Sequence, residues 1–307
     1  MSSETAGTAS TAGSEGGDGS TGDSGGLLGR GFETDDRVYR ALLYASAAIF
    51  LLFGLFPVYW MAQNSLKTRE AILDGVSWFP SAEGFTLSNY AVLTSGDIQL
   101  YFFNTLVVTM GTVILTVVVS LIAGYGLARL SFPYKEGFAR FLLFGYMFSP
   151  IVLGLPLYLI WQEIGLLNSR VGLIIALTAI SMPFSVWLMW KYIQTIPEAM
   201  EESAWVVGAS RWEGFRDVII PQTQPAIIAS ALFAFALAWN DFTFAQILLP
   251  SNEATTFAPG ILRQITQGYD IAWNDIMAAS MAMTIPPLLF AYFLQSYLLQ
   301  GFQIRSL

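Results

Sequence analysis

Residues 98–128 read IQLYFFNTLVVTMGTVILTVVVSLIAGYGLA, a stretch of 31 positions without a charged side chain. About 20 apolar residues in a helix span the hydrocarbon core of a bilayer, so this run is long enough to cross one with residues to spare. Five more charge-free runs flank it: Ala41 to Leu66, Phe141 to Gln162, Val171 to Trp190, Val218 to Asn240 and Ile276 to Ile304, each of 20 residues or more. None shows the strict in-and-out alternation of a membrane barrel, and an unpaired backbone group is costly in lipid, so all six are expected to be helices. The expected fold is an all-α membrane protein of six transmembrane helices, at about 39–64, 100–128, 138–162, 171–193, 224–249 and 276–300. The composition agrees, with 54% hydrophobic and only 12% charged residues.

Residues 1–36 hold seven carboxylates, one basic residue (Arg30) and almost nothing apolar before Leu27. Such a segment cannot bury enough surface to order itself and is expected to be a disordered acidic tail on the cytoplasmic side, ahead of a membrane domain over 37–307. No cleavable leader precedes the first run, which is expected to serve as a retained targeting signal. The net charge of −8 lies mainly in that tail. A halophilic archaeal source would account for it, as would an ordinary acidic tail.

Histidine and cysteine are absent, which removes the commonest general base and the thiolate metal ligands. Catalysis is therefore poorly provided for, and no cofactor or metal site is expected in this chain. None of the three lysines (Lys67, Lys135 and Lys191) follows a glycine, so no phosphate-binding loop of the Walker type is present.

With the N-terminus inside, the inner basic residues are Arg30, Arg37, Arg40, Arg129, Lys135, Arg140, Lys191, Arg211, Arg216 and Arg305. The outer ones are Lys67, Arg69, Arg170 and Arg263. This asymmetry fits the positive-inside rule, with both termini cytoplasmic and the chain a multi-pass protein of the cell membrane. Three connections exceed simple links. Two are outer, at about 67–97 with its aromatics Trp78, Phe79, Phe85 and Tyr90, and at about 250–275 with a short helix expected near Pro259 to Gln267. The third is inner, at 194–221.

From Gln194 the inner connection reads QTIPEAMEESAWVVGASRWEGFRDVIIPQTQP. Thr195 with Glu198 suggests a capping box opening one short amphipathic helix, Gly208 its C-terminal cap, and Ser210 with Glu213 a second capping box opening another helix towards Pro221. The small residues Ala204, Gly208 and Ala209 allow close approach of a partner, and nearby acids and Arg211 offer ionic contacts.

Glu202, Ser203, Ala204 and Gly208, followed at the family's spacing by Val218, Ile220 and Pro221, resemble the EAA loop of ABC importer permeases. Ser203, Val207, Val218 and Ile220 depart from the usual residues, Val207 standing where an Asp is common. PVYWMAQNSLK (57–67), Asn89, Asn104, GLLN (165–168), WNDF (239–242) and Gln300-Gly301 are similar to pieces of the carbohydrate branch that includes the smaller maltose-permease subunit. The resemblance covers roughly Arg37 to the C-terminus.

It implies an importer that moves a sugar, either a monosaccharide such as glucose or a small oligosaccharide, by alternating access. Its partners would be a second permease subunit, two ATPase subunits that bind ATP and magnesium, and an extracytoplasmic solute-binding protein, with membrane lipid around it and no nucleic acid. Glu201, Glu202, Ser203, Ala204, Gly208, Ala209 and Arg211 are the expected ATPase-coupling residues. Ser149, Trp239, Asn240, Asp241 and Phe242 are candidates for lining the pathway, although helix or lipid contacts would explain the aromatic pair equally well.

Pro150, Pro183 and Pro286-Pro287 are expected to interrupt three of the spans, as gates or static kinks. Ser120, Gly124 and Ala128 read as a close helix contact. A permease for an amino acid, peptide or glycerol phosphate is the alternative reading. A secondary transporter would call for an inverted repeat and intramembrane charge, neither of which is evident.

Overall fold

The computed structural model describes residues 29–94, 96–267 and 272–303. Residues 1–28 of the tail expected over 1–36, and the C-terminal residues 304–307, lie outside the described residues. The helices are α1 (Gly29–Ser65), α2 (Arg69–Leu73), α3 (Gly96–Arg129), α4 (Lys135–Phe144), α5 (Pro150–Glu163), α6 (Arg170–Ile193) and α7 (Ala199–Val206). They continue with α8 (Arg211–Gly214), α9 (Ile220–Gln222), α10 (Gln224–Trp239), α11 (Thr243–Leu248), α12 (Phe257–Gln267) and α13 (Trp273–Gln303). No strand occurs among the described residues; an isolated bridge joins Lys67 to Phe85. α1 starts at Gly29, inside the segment expected to be unstructured, as extending a helix already nucleated costs little.

The chain divides into two compact units, Met1–Pro57 and Val58–Leu307. In the first, α1 exposes Leu42, Phe50, Leu52 and Phe53, a surface suited to lipid rather than water.

In the second unit, α3 packs along α6, and α10 lies against both. Small and hydroxyl side chains make this possible. Thr105, Thr109, Thr112, Thr116 and Ser120 recur every three or four residues of α3 and are all buried, as are Thr178, Ser181 and Ser185 of α6. Thr116 and Ser181 share a hydrogen bond of 2.6 Å across the contact. A methyl group on Gly124 would lie 2.5 Å from Met189 Cβ, so the expected small-residue contact of α3 is present and α6 is what it meets.

Four helices are long and apolar enough to cross a membrane, and two bent pairs bring the total to the expected six when each pair counts as one crossing. The first bend falls at Pro150, where an interruption was expected, and the second between the loop helix expected to run towards Pro221 and the span expected from 224. In the first pair, 135–147 and 150–163 meet at 97°. Phe148 and Ser149 are extended and Pro150 opens α5, because a residue before proline is pushed out of the helical region.

In the second pair, 211–222 and 224–239 meet at 72°, between Pro221 and Pro225, neither of which has an N–H to give. Thr223 Oγ1 donates to Ile219 O at 2.8 Å there. The expected fifth span to residue 249 ends instead at Trp239, followed by a short turn and α11. Pro183 and Pro286-Pro287 do not interrupt their helices, since α6 and α13 run through them.

Candidate functional site

The loop 194–221 forms two short helices around a glycine turn. α7 begins later than the Thr195–Glu198 capping box requires: Thr195 Oγ1 donates backwards to Tyr192 O at 2.7 Å, and no side chain caps α7. The turn is as expected. Gly208 has φ +97° with open space around it, Gly208 N donates to Trp205 O at 3.0 Å, and Ala209 N donates to Ala204 O at 3.0 Å. The second capping box is complete, with Ser210 N donating to a Glu213 carboxylate oxygen at 2.6 Å and Glu213 N to Ser210 Oγ at 3.3 Å. These bonds hold the Glu213 carboxyl below its usual pKa. Past α8 the chain passes through a π-helical turn, Phe215–Ile219, a geometry that sequence reasoning missed.

The loop has a buried base and an exposed tip. Phe215 and Ile219 sink into an apolar cluster with Leu121, Leu127, Val186 and Met189, and the Phe215 ring lies 4.7 Å from that of Tyr125. At the tip Val206 is 89% and Val207 87% exposed, and Trp212 is exposed beside them. The usual Asp before the glycine is thus replaced by an apolar, outward-facing Val207.

Of the residues expected to couple, Glu202, Ser203, Gly208 and Arg211 are exposed and Ala204 and Ala209 are half-buried. Glu201 is a correction. It is 1% exposed, and its carboxylate accepts from Arg129 Nε at 2.5 Å and Tyr125 Oη at 3.0 Å, so it cannot meet a partner protein. Arg129 and Tyr125 belong to α3 and were not picked out from the sequence. No local pattern links positions 72 and 76 residues apart.

At the other end of the unit, a cavity of about 400 Å³ is lined by Trp239, Asn240, Asp241, Thr256, Met283 and Thr284, among others. Three expected pathway residues therefore come together. Trp239 stacks on Phe235 at 5.3 Å, Asn240 Nδ2 donates to Ala236 O at 2.8 Å, and Asp241 accepts from Phe244 N at 3.2 Å and Ala245 N at 2.9 Å. Asp241 thereby holds the first turn of α11. Phe242 and Ser149 are exposed and do not line this cavity, and the Ser149 hydroxyl makes no capping bond at α5. Thr256, missed in the sequence, is buried with a hydroxyl that has no partner among the described residues.

Asn89, Asn104 and Asn168, pieces of the weaker resemblance, are structural clamps. Asn89 Nδ2 donates to Ser65 O and Lys67 O, both at 2.8 Å, and Asn104 Nδ2 donates to Glu253 O and Thr255 O at 2.9 and 2.8 Å. Asn168 takes a positive φ of 58° and accepts from Ser251 N at 3.1 Å.

A helical membrane unit that presents a glycine-turned loop at one end and a cavity of mixed polar and apolar lining at the other fits the architecture of a transport subunit. Residues 116–303 match the family described as the binding-protein-dependent transport system inner membrane component, and the chain belongs to that family. It is a permease subunit rather than an enzyme. It is 30% identical to the trehalose/maltose transport system permease protein MalG of Thermococcus litoralis, over 89% of this chain and 98% of that protein. It is 29% identical to the diacetylchitobiose uptake system permease protein NgcG of Streptomyces coelicolor, over 85% and 87%.

Among solved structures, a bacterial ABC transporter involved in the import of the acidic polysaccharide alginate has a similar fold. Its TM-score is 0.74 at 22% identity, over 86% of this chain and 97% of that one. A second crystal structure, of an alginate ABC transporter in complex with an alginate pentasaccharide-bound periplasmic protein, matches with a TM-score of 0.61 at 19% identity.

Proposed function

We propose that this chain forms half of the membrane pathway of an ATP-driven sugar importer, paired with a second permease subunit, and that the loop 194–221 docks on a separate ATPase subunit. Two ATPase subunits bind ATP and its magnesium ion, and an extracytoplasmic solute-binding protein delivers the sugar. Both termini and the loop lie on the cytoplasmic side, in keeping with the ten inner and four outer basic residues. Relatives named for diacetylchitobiose and for trehalose/maltose favour a small oligosaccharide over a monosaccharide as cargo. The cavity beside Trp239, Asn240, Asp241 and Thr256 supplies an aromatic face and hydroxyl partners of the kind a sugar uses.

The observation that carries this reading is the loop's form: a buried base and an apolar, exposed tip turned on Gly208. Closure of the ATPase dimer would push on that tip and reach the spans as a rigid-body movement. Replacing Gly208 with Trp tests it. A side chain at φ +97° costs roughly 1–2 kcal/mol of local strain and projects into the docking surface. The expected outcome is loss of binding-protein-stimulated ATP hydrolysis with the chain still in the membrane. A variant complex that keeps its ATPase and its stimulation would refute the role of the loop.

A further inference from the structure

Glu201 and Arg129 form a buried ion pair within a single chain, and the two elements they join differ in kind. One is a short helix of a surface loop, the other the longest-packed span of the unit. We propose that Arg129, Glu201 and Tyr125 latch the loop to α3, so that the loop and this span move as one body and α3 is the element through which the loop's displacement enters the membrane. This rests on the reading of the loop as the ATPase-docking element and names the route by which that contact acts.

The geometry argues for a joint rather than an incidental contact. Arg129 ends α3 and spends its guanidinium on α7, the chain leading into it and the last residue of α6. Nε donates to the Glu201 carboxylate at 2.5 Å, Nη2 to Ile196 O at 3.0 Å and Nη1 to Ile193 O at 3.5 Å. A planar fork held at three acceptors fixes direction as well as distance. Tyr125, one helical turn earlier, donates to the second carboxylate oxygen at 3.0 Å, so both oxygens of Glu201 are held from α3.

The side chains of Arg129 and Glu201 are only 11% and 1% exposed, which keeps water from competing. Glu198, 3.9 Å from Arg129 and 69% exposed, adds a weaker outer contact. The tilted Tyr125–Phe215 ring pair ties the second half of the loop to the same turn of α3. Apolar packing alone permits sliding, whereas a buried pair does not, because any slip leaves a charge unpaired in a dry place.

The test uses the full complex in vesicles, with its ATPase subunits and binding protein, and reads sugar taken up per ATP hydrolysed. Glu201→Gln keeps the shape and one acceptor but removes the charge. It is expected to keep the ATPase bound and hydrolysing while uptake per ATP falls about tenfold or more. Arg129→Gln should do the same, and the double variant should be no worse than either, since one joint is lost in all three.

The chain has no cysteine, which allows a rescue. With Arg129→Cys and Glu201→Cys together, coupling should be poor until a short bis-maleimide bridges the pair, each thiol adding across one maleimide double bond to give a thioether, and should then recover. Unchanged uptake per ATP in both single variants, or a bridge that stops transport, would overturn the latch, as would variants that lose their ATPase altogether. Failure of the loop's docking role looks different: the unaltered chain would not hold the ATPase.

Discussion

The two ends of the membrane unit are fastened in opposite ways. At the end bearing residues 65–90, 249–267 and 274, amides joined by the Arg263 guanidinium clamp loop backbone. Asn89 and Asn104 each give two bonds to carbonyls, Asn274 Nδ2 donates to Asn89 Oδ1 at 2.8 Å, and Arg263 donates to Leu249 O, Pro250 O and Ser251 O. Each bond holds a loop to a helix or to another loop, and most of the acceptors are carbonyl oxygens, with one further bond from Asn274 to the Asp275 carboxylate at 3.0 Å. At the other end a charged pair joins a loop to a span and leaves an apolar tip in the open. Amide clamps suit a lid that must keep its shape around a cavity, and a charged fork suits a joint that must carry a push in a fixed direction. The first end is built for form and the second for transmission.

The sharpest way to break this division is Asn104→Leu. It strips two buried or nearly buried carbonyls of their donor, at roughly 1–3 kcal/mol each. The thermal midpoint of the purified complex should fall by several degrees. Molecules that remain folded should keep their uptake per ATP. If that ratio collapses while the midpoint holds, the amide end takes part in transmission and the contrast is wrong.

Gly124→Val tests how the two ends communicate. Its new Cβ would meet Met189 Cβ at 2.5 Å and Trp190 N at 2.9 Å, and a backbone atom cannot rotate away. Overpacking of this kind costs about 1–3 kcal/mol and prises α3 from α6 one residue before Tyr125. Both readouts should suffer, with a lower midpoint and weaker uptake per ATP. A loss of stability alone would mean that the α3–α6 contact serves form only.

Much of this was legible in the sequence, and the parts that were not share a cause. The number of crossings followed from charge-free run length, which a bilayer fixes. The breaks at Ser149 and Thr223 were marked by their prolines, since hydropathy is continuous through both, but the size of the bends was not legible. The Ser210–Glu213 box was legible since both partners lie within one turn; the Thr195–Glu198 box fits the same pattern, but the Thr195 hydroxyl had a nearer acceptor in Tyr192 O. Cavity residues were found where they are adjacent in sequence, as Trp239 to Asp241 are. Thr256, Tyr125 and Arg129 were missed because tertiary packing alone brings them to their sites.

The smallest expected effect lies at the start of α8 and separates the shape of the transmitting end from its charge. Ser210→Ala removes a side-chain cap worth about 1 kcal/mol, and its partner Glu213 adds a dependence on pH. Backbone and side-chain bonds from Ser210 lower the Glu213 pKa in the folded chain, so its contribution is complete above the ordinary carboxylate value of about 4.3. It is lost as the pH falls through that value towards the lower folded one. The midpoint difference between the unaltered chain and Glu213→Gln should therefore narrow between neutral pH and about pH 4, while the difference between the unaltered chain and Asn104→Leu should not, since no titrating group is involved there. A gap that instead widens on acidification would show that Glu213 is destabilising when charged and that the cap is held by Ser210 alone.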